Sequence, residues 1–333
     1  MIYGKGMTMR LPPDPAGIAE AARLIRAGGL VALPTETVYG LGADATNPAA
    51  VARIYAAKGR PAFNPLIAHL ATLEAAQAEG TLDAAALRLA RQFWPGPLTL
   101  VVPRIEGGKV CDLACAGLAS VGLRIPSHPV ALDLLKAAGR PVAAPSANRS
   151  GHVSPTLPEH VLADLDGVID AVVMAGPCPV GVESTIVGCL GNEAVLLRPG
   201  GITRADLSSS LGEPVRDPVQ TDDNQTPQSP GRLTAHYAPE TPLRLNATSV
   251  SPGEALLAFG PALPSGADKA HIVQNLSRSA NLTEAATHLY TFLRNLDKLR
   301  ASAIAVAPIP ESGLGEAIND RLRRAAAAKS VCN

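Results

Sequence analysis

Hydrophobic spacing along the 333-residue chain changes period many times, and each change marks an element. Over 14–27 the apolar residues Ile18, Ala22 and Ile25 fall at helical spacing, and Gly28 supplies the stop. The run 30–33 is apolar and short enough for a buried strand. It breaks at Pro34 into Thr35, Glu36, Thr37 and Tyr39, hinged by Gly40 and Gly42. Such a stretch is either a surface turn or a loop that fixes side chains over a cleft. Asn47-Pro48 reads as a helix cap with proline in the first turn, and that helix runs to about 57 before Lys58-Gly59-Arg60-Pro61. A strand at 65–70 carries His69. A helix at 82–93 stops at Trp94-Pro95-Gly96-Pro97.

The alternation continues with strands at 98–102 and 121–125, a helix at 129–138, and strands at 142–144, 171–174, 184–187 and 194–197. It predicts an α/β layer fold over 14–207. From 208 to 242 the pattern dissolves into a polar, proline-punctuated linker. Strands at 255–259, 271–273 and 303–307, with helices at 282–299 and 315–327, then predict a smaller α/β unit over 243–333.

Composition narrows the picture. Hydrophobic residues are 47% of the chain and aromatics 3%, so the cores must be packed from Ala, Val, Leu and Ile. Basic and acidic residues balance at 29 each, which argues against a uniform positive field while leaving room for a local basic cleft. Cys111, Cys115, Cys178, Cys189 and Cys332 form neither a Cys-x-x-Cys pair nor zinc-ligand spacing with histidine, so thiols in a reducing compartment are expected. No leader-like start and no run of about 18 apolar residues is seen. A cytoplasmic protein without membrane contact is the expectation.

Polar clusters stand at the predicted element ends: Thr35, Thr37 and Tyr39; Lys58, Arg60, Asn64 and His69; Ser120, Arg124, Ser146, Asn148 and Ser154; Ser184, Thr185 and Arg198. They offer cations and hydroxyls with few carboxylates, the chemistry of an anion site. Lys58 and Arg60 either complement a helix dipole or face the anion, and His69 either braces the fold or touches the ligand. Arg124, flanked by apolar neighbours, lies either on the solvent face or paired in a cleft. Ser146 lacks a Gly-x-Ser-x-Gly elbow, and no Walker or Gly-x-Gly-x-x-Gly pattern occurs.

Taken in order, Pro34-Thr35-Glu36-Thr37-Val38-Tyr39-Gly40-Leu41-Gly42, Lys58-Gly59-Arg60-Pro61 with Asn64-Pro65-Leu66, and Trp94-Pro95-Gly96-Pro97-Leu98-Thr99 form a series. It continues through Gly122-Leu123-Arg124-Ile125-Pro126, Pro145-Ser146-Ala147-Asn148-Arg149-Ser150-Gly151, Glu183-Ser184-Thr185-Ile186 and Leu197-Arg198-Pro199-Gly200. The series resembles the threonylcarbamoyl-AMP synthase family, whose catalytic unit is the YrdC-like domain. Ser229-Pro230-Gly231 and His236-Tyr237-Ala238-Pro239 resemble the segment that leads to a C-terminal domain in the family's long form.

The resemblance implies a twisted mixed sheet with an open cleft, followed by a small Rossmann-like domain. It implies formation of threonylcarbamoyl-AMP and diphosphate from L-threonine, bicarbonate and ATP with Mg2+. A separate transferase would then use the product to modify tRNAs reading codons that begin with A, with weak tRNA contact a further possibility. By motif position, Lys58, Arg60, Ser146 and Asn148 would surround the carbamate and α-phosphate. Thr37 or Thr35, His69, Arg124, Ala144 and Ser184 would hold threonine. Arg60, Ser146, Asn64, Ser120, Ser154, Arg198 and Tyr237 would face ATP, with the linker as a lid. The alternatives are carbamoyl-adenylate chemistry of the hydrogenase-maturation type and a non-catalytic RNA-binding module.

Overall fold

The structure, a computed structural model, describes residues 7–191, 193–218 and 237–330. Strand β1 (Met9–Leu11) leads to helix α1 (Pro15–Arg26), β2 (Val31–Leu33), β3 (Gly40–Asp44), α2 (Pro48–Lys58) and β4 (Ile67–His69). Next come α3 (Leu73–Gln77), α4 (Ala84–Phe93), β5 (Leu98–Pro103), β6 (Ser120–Arg124), α5 (Pro129–Ala138) and β7 (Val142–Ala143). The first unit closes with α6 (Pro158–Leu165), β8 (Ala171–Val173), β9 (Thr185–Gly188), β10 (Val195–Arg198) and α7 (Arg204–Leu211). The second unit holds β11 (Leu243–Arg244), β12 (Ala255–Ala258), β13 (Val273–Asn275), α8 (Leu282–Asp297), β14 (Ile304–Val306) and α9 (Leu314–Ser330).

The first ten strands form one mixed sheet in the order β1-β8-β2-β3-β7-β4-β6-β5-β9-β10. Helices cover both faces, as the two-sided burial of its strands requires. On one face α1 and α5 bring Ile18, Ile25, Leu134 and Leu135 against Val31, Val142 and Val173. On the other, Val51, Ile54, Leu89 and Val161 pack with Leu41, Leu100 and Leu123. The second sheet, β11-β14-β12-β13, is all parallel. Its core joins Leu257, Leu289, Leu293, Val306 and Leu322 to Val38, Val153 and Val182 of the first unit, with Tyr237 among them. The two units therefore share a hydrophobic core. No helix among the described residues is long and apolar enough to cross a membrane.

Several elements differ from the sequence expectation. Gly40–Asp44 is a buried strand, antiparallel to β2, where a turning loop was expected. Gly42 serves close packing: a Cβ there would sit 2.7 Å from Leu33 Cδ2 and 3.1 Å from Val142 Cγ1. The edge strand β1 begins the sheet ahead of residue 14, and α7, closed by a Thr203–Asp206 capping box, carries past 207. The strand expected over 271–273 lies at Val273–Asn275, where Gln274 and Asn275 masked it. Helices α3, α6 and α7 were not expected from the sequence: α6 offers no capping side chain, whereas Thr72 caps α3 and Thr203 caps α7. The motif stretch 229–236 and Cys332 lie outside the described residues.

Candidate active site

The stretch between β2 and β3 is locked by Thr35. Its hydroxyl donates to Val38 O (2.6 Å) and accepts from the amides of Thr37 and Val38 at 3.2 Å each. Because that proton is already committed, the 2.8 Å contact between the two threonine hydroxyls is Thr37 donating to Thr35. Thr37 Oγ1 in turn accepts from Arg124 Nη2 at 2.9 Å. Arg124, at the end of β6, also donates to Glu36 Oε1 at 2.7 Å, and Glu36 Oε2 accepts from Ser127 N at 3.1 Å. Both members of this ion pair are buried. Of the two placements open to Arg124, the structure shows the paired one in a cleft.

Helix α2 ends at Gly59, left-handed at φ 60°, and this turns Lys58 and Arg60 inward. They are 4% and 8% exposed, so neither is a surface cation on the helix dipole. Lys58 Nζ donates to the carbonyls of Ser146 and Asn148. Burial, reinforced by Arg60, pushes the Lys58 ammonium pKa well below its usual value. Arg60 donates to Asn64 O (3.3 Å) and Pro65 O (3.0 Å), and burial lowers it to about 10, still a cation at neutral pH. Asn148 donates to Arg149 O and His152 O at 2.8 Å. The Oδ1 atoms of Asn64 and Asn148 and Nε of Arg124 are buried without a partner. Such atoms are costly unless a ligand or water meets them.

His69 ends β4 directly opposite Arg124 in the parallel register with β6. Burial, with Arg124 nearby, lowers it to about 3, so it is neutral at physiological pH. Ser184 shares a 2.8 Å contact with Thr99 and accepts from Arg198 on both its carbonyl (2.9 Å) and its hydroxyl (3.2 Å). Beside it, Glu183 accepts from Ser154 at 2.5 Å. Burial alone would raise the Glu183 carboxyl, but Arg321 and Arg198 hold it down at about 2.

Arg60, His69, Arg124, Ala144, Ser146, Ser184, Arg198 and Tyr237 converge on a cavity of about 50 Å3, with Val38 and Glu183 in its wall. Lys58, Asn64 and Thr37 adjoin the lining through bonds to Ser146, Arg60 and Arg124, and Asn148 shares the Lys58 ammonium with Ser146. Thr35 is spent within its own turn, Ser154 reaches the cavity only through Glu183, and Ser120 starts β6 opposite Pro103, away from Arg124. Tyr237, 1% exposed, is buried in the cavity lining. Sequence reasoning passed over Glu36 and Glu183 because it sought groups that touch an anion, and both sit beside its quoted cations.

Family models match residues 23–200, described as Telomere recombination, and residues 202–327, described as Threonylcarbamoyl-AMP synthase, C-terminal domain. The threonylcarbamoyl-AMP synthase of Bacillus subtilis is 40% identical over 337 residues, covering 98% of this chain and 97% of the relative. The chain belongs to the threonylcarbamoyl-AMP synthase family. The synthase of Pyrococcus abyssi is 39% identical and covers 92% of both chains. A crystal structure of P. abyssi Sua5 complexed with L-threonine has a TM-score of 0.87 at 36% identity, over 97% of this chain and 98% of that one. The fold is thus that of the family's two-domain form, a mixed sheet with a second α/β sheet at the C-terminus.

Proposed function

We propose that this chain joins L-threonine, bicarbonate and ATP into threonylcarbamoyl-AMP, releasing diphosphate and water. One observation carries the reading. Arg60, Arg124 and Arg198 converge on one cavity, with Lys58 bonded to its lining residue Ser146, while Glu183 of the lining and Glu36 beside Arg124 are already paired with arginine. Charge left uncompensated there is positive, and the substrates are a carboxylate, a carbamate and a polyphosphate.

The threonine amine takes up the carboxyl of bicarbonate as a carbamate, and a carbamate oxygen then displaces diphosphate at the α-phosphorus. Arg124, oriented by Glu36 and Thr37, suits the threonine carboxylate; neutral His69 and Ser184 flank it. Lys58 and Arg60 stabilise charge that grows on the carbamate and α-phosphate, with Ser146 and Asn148 aligning them. Asn64 and Arg198 face the nucleotide. Among the described residues no group of three or more His, Cys, Asp or Glu could cage a metal. ATP would bring Mg2+ on its own phosphates, since this cation is commonly held by substrate phosphates and water. The product supplies tRNA threonylcarbamoylation through a downstream transferase.

Lys58→Ala or Arg60→Ala is expected to lower threonine-dependent diphosphate release by about a hundredfold or more. Because both residues are buried, unfolding followed through Trp94, the single tryptophan, must accompany the assay. Diphosphate release by the wild type that does not need L-threonine would overturn the assignment.

A further inference from the structure

The second unit reaches into the active site with two side chains. Arg321, on α9, is 0% exposed. Its Nε donates to Glu183 Oε2 at 2.7 Å, Nη2 to Pro199 O at 2.9 Å and Nη1 to Asp320 at 2.6 Å. Tyr290, on α8, donates its hydroxyl to the same Glu183 oxygen at 2.8 Å. The Tyr237 ring packs beside both, its centroid 6.0 Å from that of Tyr290 and 5.1 Å from the Arg321 guanidinium carbon. Glu183 and Pro199 flank Ser184 and Arg198 in sequence, and Arg198 binds the Ser184 carbonyl. One guanidinium therefore grips both the strand start and the strand end that present the nucleotide-side cation.

A fully buried arginine is costly unless its charge and donors are met. Here they are met by Glu183 and Pro199, next to Ser184 and Arg198 of the cavity lining, beside a shared core of apolar residues. We propose that Arg321 and Tyr290 are positioning residues of the synthase: they clamp Glu183 and Pro199, and so fix Arg198 and Tyr237 for the nucleotide. The proposal rests on the assigned reaction for which ligand it serves. Among the described residues, the side-chain hydrogen bonds of Arg124, Glu36 and Thr37 on the threonine side stay within the first unit. The two substrates should therefore respond differently.

The test is calorimetric titration of the full-length protein with ATP and, separately, with L-threonine. Tyr290→Phe keeps the ring stack and removes only the donor. Arg321→Lys keeps the charge and loses the fork, and Arg321→Met loses both. ATP affinity should fall about tenfold in Tyr290→Phe and further in the order Lys, Met, while threonine affinity stays within about twofold of wild type. Unchanged ATP affinity in Tyr290→Phe would overturn the proposal. So would equal weakening of both ligands with a lowered melting temperature, the mark of a structural role alone. A wild type that binds ATP yet forms no threonylcarbamoyl-AMP would sink the assigned reaction and leave the affinity comparison intact.

Discussion

Glu36 and Glu183 act alike: each is buried and neutralises a buried arginine, Arg124 and Arg321 respectively. Removing one partner of a buried pair leaves an uncompensated charge, which is why Glu36→Ala is expected to cost about 3 kcal/mol in urea unfolding. A cost under about 1 kcal/mol would show that Arg124 does not depend on it. Thr35 and Thr37 separate by the same bookkeeping of donors. Thr35→Val breaks bonds within the turn and should lower stability, whereas Thr37→Val removes an acceptor from Arg124 and should weaken L-threonine binding about tenfold. Equal effects of the two on threonine affinity would refute the distinction. The sequence placed both hydroxyls here but could not divide their roles, because the division depends on Arg124, 87 residues away from Thr37.

At the scale of elements, α1 and α2 were legible from their caps, while the capped helices α3 and α7 and the glycine-rich strand β3 were not. Asn47 before Pro48 and Asp14 before Pro15 announce their helices through local hydrogen bonds that the sequence itself specifies. Strand β3 carries two glycines in five residues, so it lacks the apolar run that marks its neighbours. Its glycines are dictated by β2 and β7 packing against it. Gly42→Ala is accordingly expected to destabilise by about 1–3 kcal/mol through overpacking against Leu33 and Val142. Gly59→Ala meets open space but forces a left-handed alanine, for about 1–2 kcal/mol. Chemical denaturation of both variants checks the pair, and a neutral Gly42→Ala would mean that the sheet relaxes freely.

For the whole molecule, pH reports how much charge chemistry is buried. His69 titrates at about 3, lowered by burial and by Arg124. His160, on α6, titrates at about 4, lowered by burial and by Arg294 and Lys298 of the second unit. An unfolded histidine takes a proton near 6.5 while these do not, so the unfolded chain binds more protons below that value. Stability is therefore full above 6.5 and falls as pH drops through 6.5 toward 4, each histidine contributing up to about 1.4 kcal/mol per pH unit. Glu183 adds to the loss below 4.5, since its carboxyl is held at about 2. Urea midpoints at pH 8, 6 and 5 should decline, and His160→Gln should flatten part of the slope; equal midpoints would contradict this reading.

What the sequence determined by itself was local: element types from hydrophobic period, caps from side-chain chemistry, and an anion-binding character from clustered cations and hydroxyls. The element types and caps seen in the structure depend on residues within a few positions of one another. The tertiary structure alone decided which charges are paired with one another. Glu183 meets Arg321 across 138 residues and Arg124 meets Glu36 across 88. No local pattern encodes such pairs, since they exist only once the sheet order and the docking of the second unit bring the partners into one buried space.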